Sequence, residues 1–361
     1  MPKSTGREDF PLPSEVTIRL LEEKDHGALV STLNPWNFSL KGTAYVRWLE
    51  ASNPADHFSL IAMLDQEMIG YYGTITVPLK IGAQIVPCYR GGIFVHPAHR
   101  KKKYNVFNLL VRAAHAEIKK RSGVTYGFPT PAIIKYYSVK TKARIIKPIP
   151  EYTFFLGADG FFRNFLKHAG IARLLGRLLG PLWHCRFRWF NRKQDGISIS
   201  RIYFFDPRFD ALWEKASRDH RILSARHAGF LNWRYFKEPE ELYAVFTAEK
   251  NNALQGYVIL KSIPDKTPRT GMIADLFSVR DCSISKALIG QAIKYFEAEG
   301  MQKIRLFLSD SFYENMLKSA GFLRVQNNDW MMAKSYAPSI PDALFYDTKN
   351  WFVTTADTLF A

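Results

Sequence analysis

The segment Tyr45-Val-Arg-Trp48, followed ten residues later by Phe58, decides the fold because the chain contains a second copy of it. The second copy reads Phe230-Leu-Asn-Trp233, so that Trp233 lies 185 residues after Trp48, and Tyr243 lies 185 residues after Phe58. Self-similarity at a fixed offset is typical of a duplicated structural unit. The sequence therefore predicts two related domains in one chain.

Alternating apolar residues follow both copies of this segment. Residues 58–64 and 69–77 flank a polar stretch in the first copy, and residues 242–248 and 254–260 flank another in the second. A period of two around a polar turn predicts a β-hairpin in each copy. The pattern then predicts the strands 91–95 and 273–279, the helices 106–120 and 284–299, and the short strands 124–128 and 303–308.

Length and composition agree with two globular domains. The chain has 361 residues, of which 47% are hydrophobic and 14% aromatic. Compact domains usually contain roughly 100–200 residues, so two cores are expected. This much apolar surface excludes a largely disordered chain.

Charge and cysteine content narrow the class of protein. A formal charge of +17 gives a surface that attracts phosphates, anionic lipid or nucleic acid, and charge alone does not choose among them. The cysteines, Cys88, Cys185 and Cys282, lie far apart, which argues against a disulfide framework or a zinc site. The N-terminus lacks the apolar core of a secretory signal, so we expect a cytoplasmic protein.

The order of predicted elements resembles the GNAT acyltransferase fold, and two motifs carry the resemblance further. Val95-His-Pro-Ala-His-Arg100 is similar to the GNAT junction before the coenzyme A loop, and Arg226-His-Ala-Gly-Phe-Leu-Asn-Trp-Arg-Tyr235 is similar to the centre of bacterial tandem-GNAT proteins. The resemblance implies an α/β fold of two tandem GNAT-like domains, each a mixed, mostly antiparallel sheet flanked by helices. The expected divisions are an N-terminal domain (1–155), a basic amphipathic linker helix (156–196), a C-terminal domain (197–336) and a tail (337–361).

The resemblance also implies acyl-CoA, such as acetyl-CoA, as co-substrate, and no metal. In GNAT enzymes a glycine-containing turn presents backbone N–H groups to the pyrophosphate at the start of a helix. Here the turn reads Arg100-Lys-Lys-Lys-Tyr-Asn105 and lacks those glycines, although Asn tolerates positive φ and the lysines supply charge. The alternative is a solvated turn on a domain that has lost its cofactor. The predicted donor-binding residues are Phe94, Val95, Arg100, Lys102, Lys103, Asn105 and Val106.

Acyl transfer to an amine needs a base for the amine and an acid for the departing thiolate. GNAT enzymes often use as this acid a tyrosine four residues before a glycine on the last helix, and Tyr137, four residues before Thr141, is the nearest match. His96 and Asp275 are the nearest candidates for the base. Each also has a structural interpretation, His96 as a turn residue and Asp275 as the partner of Arg234 in an ion pair.

The second copy departs further from the GNAT pattern. Val279-Arg-Asp-Cys-Ser283 has no glycine and places Asp281 where a phosphate would lie. Leu317, which cannot donate a proton, stands where the first copy has Tyr137. The sequence therefore predicts that the second copy binds no coenzyme and that the chemistry belongs to the first.

Residues 161–193 contain no Asp or Glu and predict a basic amphipathic helix. Such a helix can lie on an anionic membrane at the inner face of the envelope, or it can pack its apolar side on a domain. The basic arc of the predicted helix consists of Arg163, Lys167, Arg173 and Arg177.

The preferred interpretation is an acyl-CoA-dependent N-acyltransferase that acts on an amine-bearing small molecule or envelope precursor. One alternative is an aminoacyl-tRNA-dependent transferase of the peptidoglycan-bridge type, for which tRNA would be the nucleic-acid partner. A second alternative is a non-catalytic binding protein in which both cofactor loops have degenerated.

Overall fold

The computed structural model describes residues 16–36, 42–100, 102, 105–165, 168, 170–171, 174–175, 178, 196–239, 242–263, 268–325 and 330–358. Among these, one compact unit comprises residues 16–77, 87–125 and 335–338, and a second comprises residues 78–86, 126–334 and 339–358. The units interleave along the chain. The domain boundaries expected at residues 155, 196 and 336 stay predictions.

The first sheet begins with five strands in the order β1-β2-β3-β4-β5. β1 pairs with β2 and β2 with β3 in antiparallel fashion, whereas β4 and β5 are parallel. The helices of this part of the chain are His26–Leu33, Thr43–Ala51 and Val106–Lys120. The strands are β1 (Val16–Leu20), β2 (Leu60–Leu64), β3 (Glu67–Ile81), β4 (Gln84–Val95) and β5 (Val124–Gly127).

The helix Val106–Lys120 packs tightly on β3 because its apolar side chains recur every three or four residues. An added Cβ on Gly70 of β3 would lie 2.9 Å from both Val106 Cγ1 and Leu110 Cδ1. A glycine at this position therefore sets how closely the helix approaches the strand. The buried residues of the helix are Val106, Leu110, Val111, Ala114 and Ile118.

The strands of the second sheet are β7 (Glu151–Phe155), β8 (Ile197–Ile202), β10 (Tyr243–Lys250), β11 (Ala253–Ile263), β12 (Thr270–Ser278), β13 (Lys303–Phe307) and β14 (Leu323–Val325). They lie entirely within the second unit, in the order β14-β7-β13-β12-β11-β10-β8. Further strands outside this sheet are β6 (Arg144–Pro148), β9 (Ile222–Ser224) and β15 (Trp330–Ser335). The helices are Pro131–Lys140, Ala158–Phe165, Arg208–Ala216, Ala228–Tyr235, Cys282–Ala298, Ser311–Ala320, Asp342–Phe345 and Thr355–Thr358.

The two predicted hairpins turn in the same way. Asp65 and Gln66 join β2 to β3 with φ values of 49° and 79°, and Asn251 and Asn252 join β10 to β11 with φ values of 52° and 60°. Two-residue turns with positive φ at both positions match the twist of the flanking strands. Both copies of the repeat thus form hairpins of one geometry.

Strands from the two halves of the sequence pair with each other. β7 comes from the first half, yet it lies antiparallel between β13 and β14, where Tyr152 pairs with Leu306 and with Arg324. β15, from the second half, pairs with β6 from the first. Neither half of the sequence contains all the strands that its own elements pair with.

The core of the second unit is continuous and includes the exchanged strand. Tyr152 and Phe154 of β7 are buried in the same cluster as Trp213, Phe277 and Ile289. Burial of apolar area is the main favourable contribution to folding. The exchanged strand is therefore part of the core and not an addition at the sheet edge.

The predicted fold class is confirmed: two mixed sheets are flanked by helices. The predicted strands and helices of both copies are present, with ends that differ by a few residues. Of the predicted basic linker (156–196), the structure describes residues 156–165, which include the helix Ala158–Phe165, and residues 168, 170–171, 174–175, 178 and 196. The side chain of Arg163 and the residues Lys167, Arg173 and Arg177 lie outside the described parts, so a membrane role stays a prediction. In those parts no helix is both long and apolar enough to cross a bilayer.

Substitution of Gly256 by Ala should destabilise the protein. Gly256 corresponds to Gly70 in the repeat and faces Ser278 on the neighbouring strand, so an added methyl group would overlap the Ser278 side chain. Overpacking of this kind costs about 1–3 kcal/mol. Urea unfolding measures the change in the free energy of unfolding.

The matched control is Gly229→Ala, an exposed helical position with no atom within 4 Å of the added Cβ. This substitution should be neutral or stabilise the protein by up to about 1 kcal/mol, because Ala favours helices over Gly. If the two substitutions changed the free energy of unfolding equally, the close packing of β11 on β12 at Gly256 would be contradicted.

Candidate functional site

The C-terminal end of β4 is the place that the sequence predicts for the acyl donor. β4 and β5 pair only at Cys88 and Val124, so β4 continues to Val95 without a β5 partner. The side chains of Phe94 and Val95 are buried. Their contribution to a ligand would therefore come from the backbone of the strand.

The turn after Val95 is held by side chains that the sequence analysis assigned to function. His96 Nδ1 accepts a hydrogen bond from the Ala98 N–H at 3.3 Å and caps the short 3₁₀ helix Pro97–His99. Arg100 Nε donates to the Val95 carbonyl at 3.0 Å. This geometry favours the turn interpretation of His96. The Nη groups of the exposed Arg100 form no hydrogen bond or ion pair with a described residue.

The start of the helix Val106–Lys120 offers donors to an anion. Asn105 adopts the left-handed conformation with φ 40°, and its Oδ1 accepts a hydrogen bond from the Asn108 N–H at 3.2 Å. The Val106 N–H has no acceptor among the described residues, and Lys102 is exposed nearby in sequence. Lys103, the remaining predicted ligand, lies outside the described residues. A helix start with an unpaired N–H and a nearby cation is suited to phosphate.

Tyr137, the predicted acid, lies on the helix Pro131–Lys140 in the second unit. Its carbonyl accepts hydrogen bonds from the N–H and the hydroxyl of Thr141 at 3.0 and 2.7 Å, which ends the helix. Burial raises the pKa of the Tyr137 hydroxyl, so the hydroxyl stays protonated at neutral pH. Its role as an acid stays a prediction.

The second sheet contains the equivalent parallel pair, β12 and β13, and the two strands separate after a short stretch. They pair from Thr270 to Met272 of β12 and from Lys303 to Arg305 of β13. Beyond these residues each strand continues without the other. A gap between diverging parallel strands is the place where the GNAT resemblance locates the acyl donor.

Here the gap contains residues Trp351–Thr355, which we call the C-terminal segment. Thr354 forms an antiparallel bridge with Leu308, and the Ser309 N–H donates to the Val353 carbonyl at 2.9 Å. The Leu308 N–H instead donates to Pro150, on the side of β7. Because successive backbone N–H groups of a strand point to opposite sides, the C-terminal segment lies on the side that faces β12.

The C-terminal segment also contacts β12. Thr354 Oγ1 donates to Asp275 Oδ1 at 2.8 Å, and Phe352 and Phe277 lie with ring centroids 6.2 Å apart. The helix Thr355–Thr358 that follows contacts both β12 and β13. The chain's own residues therefore fill the space between the two strands.

At the end of β12, the groups that would otherwise contact a coenzyme already form hydrogen bonds within the protein. The hydroxyl of the buried Tyr313 accepts from the Ser278 N–H at 2.8 Å and donates to the Ser278 carbonyl at 3.1 Å. Asp281 caps the helix Cys282–Ala298, and its hydrogen bonds from Ser283, followed by the effect of Lys250, lower its pKa to about 2. A carboxylate thus stands at the helix start. That the second copy binds no coenzyme stays a prediction.

Comparison with known proteins identifies this part of the chain. Residues 205–322 match the model of the acetyltransferase (GNAT) family. Residues 205–322 form a GNAT domain. The C-terminal segment that fills its gap lies outside the matched residues, and a search of curated proteins finds no match to the chain.

Solved structures share the fold over nearly the whole chain. GCN5-related N-acetyltransferases from Anabaena variabilis and Kribbella flavida have TM-scores of 0.61 and 0.60 at 10% and 14% identity, with 89% and 90% of this chain and 73% and 71% of theirs aligned. Saccharomyces cerevisiae N-myristoyltransferase, solved with myristoyl-CoA, has a TM-score of 0.56 at 13% identity over 91% of this chain and 80% of its own. Together with the GNAT domain, these similarities support a transferase.

Asp275 of the GNAT domain lies in a buried ion pair. Arg226 Nε and Nη2 donate to its two oxygens at 3.0 and 3.1 Å, and the Tyr257 hydroxyl adds a third bond at 2.9 Å. Arg234 was the partner expected from the sequence, whereas the guanidinium bonded to Asp275 is that of Arg226. With Thr354 also donating, the carboxylate is fully engaged, which favours its structural interpretation over a role as base.

Arg226, Thr354 and Asp357 surround this carboxylate and were not predicted from the sequence. Arg226 is buried between Asp275 and Asp357, and Asp357 Oδ2 accepts from the Thr354 N–H at 2.9 Å. The signal that was available is the apolar run Trp351-Phe-Val353 in the tail, which is typical of a buried strand. Among the described residues no group of His, Cys, Asp or Glu could hold a metal ion.

Substitution of Arg226 by Met should strongly destabilise the GNAT domain. The change leaves the carboxylates of Asp275 and Asp357 buried without their cation, and breaking a buried ion pair in this way costs about 3–5 kcal/mol. The exposed Arg208, which pairs with Asp206 and Glu249, provides the control, since Arg208→Met should cost less than about 1 kcal/mol. Chemical denaturation compares the two. If both variants lost the same free energy of unfolding, the buried ion pair of Arg226 would contribute no more than an exposed one.

Proposed function

We propose that the protein transfers an acyl group from acyl-CoA to an amine, and that the first half of the chain binds the acyl-CoA. The observation that carries this proposal is the difference between the two parallel strand pairs. The C-terminal segment fills the gap between β12 and β13, whereas β4 continues from Cys88 to Val95 without a β5 partner. This difference favours the first strand pair as the place of the acyl donor.

The residues at the end of β4 fit the chemistry of coenzyme A. The backbone near Val95 can hydrogen-bond the amides of the pantetheine arm, and the Val106 N–H and the side chains of Arg100 and Lys102 can meet the pyrophosphate. Asn105 takes the left-handed conformation that a glycine would otherwise supply. The missing glycines of the turn therefore do not exclude phosphate binding.

The amine nucleophile must lose its proton and the thiolate must gain one. A Tyr137 hydroxyl that stays protonated can supply the second proton. The sequence suggested two bases for removing the amine proton. Asp275 is bound in its ion pair, so His96 remains the candidate. Its Nδ1 accepts a hydrogen bond within the turn. An amine-bearing small molecule or envelope precursor stays the expected acceptor, and the structures of similar proteins leave the acyl length open.

Acetyl-CoA should bind with a stoichiometry of one per chain, and Lys102→Gln should weaken binding. Loss of one charge-assisted contact costs about 1.5–3 kcal/mol, which corresponds to roughly a tenfold or larger rise in Kd. Lys294→Gln, an exposed lysine on the helix Cys282–Ala298, removes the same charge elsewhere and should leave Kd within about threefold. Isothermal titration calorimetry measures both quantities. Absence of binding at millimolar acetyl-CoA would favour the non-catalytic or the tRNA-dependent alternative.

Tyr137→Phe should lower kcat roughly 100-fold or more while leaving the acetyl-CoA Kd unchanged, because a general acid acts on the leaving thiolate and not on the bound donor. Tyr136 on the same helix, whose ring lies 5.7 Å from that of Tyr137, gives the matched variant Tyr136→Phe. A thiol-release assay against a panel of amines measures turnover. If both variants lose the same activity, the effect is one of packing, and Tyr137 is not the acid.

A further inference from the structure

The second unit contains a cavity of about 620 Å³ beside the C-terminal end of β13. Small-molecule sites in proteins usually measure roughly 300–1,000 Å³. We call it the basic cavity because cationic side chains dominate its charged lining. These are Lys147, Arg221, Arg280, Arg324 and Lys349, against the carboxylates Asp219, Asp310 and Glu314.

Most of the carboxylates in the basic cavity are already paired. Asp310 forms an ion pair with Arg280, whose Nη2 lies 2.7 Å away. Glu314 forms ion pairs with Lys318 at 2.9 Å and with Arg324 at 3.7 Å. By contrast, no carboxylate of the described residues lies within 4.0 Å of the cationic groups of Lys147, Arg221 or Lys349. Against these three cations stand two carboxylates, Asp219 in the lining and Asp347 close by. The cavity therefore carries an excess of positive charge.

Lys147 is the most desolvated of these three cations. Its Nζ donates to the Trp351 carbonyl at 3.3 Å. Burial lowers the Lys147 pKa to about 8, although the more distant Asp310 and Asp347 act in the opposite direction. A buried ammonium group with one neutral acceptor is stabilised when an anion approaches.

The inner wall of the basic cavity contains His220, a polar but uncharged group. The imidazole of His220 is nearly fully buried, stacks on Phe352 with a centroid distance of 4.2 Å, and has Nδ1 3.6 Å from Asp310 Oδ2. Burial, together with Arg280, Arg226 and Lys80, lowers the His220 pKa to about 3, so the ring is neutral at physiological pH. A neutral imidazole can act as a hydrogen-bond donor or acceptor toward a ligand.

We propose that the basic cavity binds a small phosphorylated molecule, with Lys147, Arg221 and Lys349 contacting its phosphate oxygens. Lysine and arginine are the side chains that bind phosphate through charge-assisted hydrogen bonds. The concave shape and limited volume fit a small ligand, whereas a nucleic acid or a membrane needs an extended surface. This site lies in the second unit and does not depend on the acyl-CoA site proposed at the end of β4.

Protection of Lys147 from an amine-reactive reagent tests the proposal at the site itself. The full chain is labelled near pH 8 at increasing pyrophosphate, and peptide mass spectrometry reads the labelled fraction of Lys147. Pyrophosphate should protect Lys147 but not the exposed Lys215. The double variant Arg221→Gln/Lys349→Gln should raise the protecting concentration more than tenfold. Both side chains are exposed and form no hydrogen bond or ion pair with a described residue, so the folding of this variant should be unaffected.

Two controls separate the basic cavity from other anion effects. Lys215→Gln/Lys294→Gln removes the same charge outside the cavity, and Lys102→Gln removes a cation of the proposed acyl-CoA site. Both should leave the protection of Lys147 within about threefold of wild type. Succinate, a dianion without phosphate, should protect at least tenfold more weakly than pyrophosphate.

Three outcomes would overturn the proposal. They are no protection at millimolar pyrophosphate, an equal loss of protection in the charge-matched control, and equal protection by succinate. Failure of acetyl-CoA to bind the protein would contradict the proposed function and leave this result unchanged. The two proposals are therefore tested separately.

Discussion

The buried ion pair between Arg226 and Asp275 is the interaction on which the arrangement of the GNAT domain depends. Burying two charges is costly unless every lone pair and proton finds a partner. Tyr257 and Thr354 complete the set around Asp275, and Asp357 lies 3.7 Å from the same guanidinium. Because Thr354 and Asp357 come from the end of the chain, satisfying this pair draws the C-terminal segment into the gap between β12 and β13.

The two halves of the chain differ because the C-terminal segment fills the gap between β12 and β13 of the GNAT domain. The family match falls on residues 205–322, in the half where Val353 of the C-terminal segment accepts a hydrogen bond from Ser309, two residues after β13. In the other half, which the family model does not match, β4 and β5 pair only at Cys88 and Val124.

The exchange of strands makes the second unit dependent on both halves of the sequence. β7 contributes Tyr152 and Phe154 to a core otherwise built from the second half, and Arg305 of β13 pairs with Glu151 of β7. Truncation between the halves would therefore remove core residues from the GNAT domain. The basic cavity depends on the same exchange, since Lys147 comes from the first half and Arg221 and Lys349 come from the second.

The sequence by itself determined the elements whose signals are local. The repeat around Trp48 and Trp233, the hairpin turns at Asp65 and Asn251, and the helices that follow them could be predicted because periodicity and turn chemistry act over a few residues. Only the tertiary structure decided which strands exchange, which arginine holds Asp275, and that the C-terminal segment fills the gap beside β13. These are choices among partners distant in the chain, made by burial and by the need to satisfy buried polar groups. The apolar run Trp351-Phe-Val353 indicates burial of this segment but not which strands it contacts.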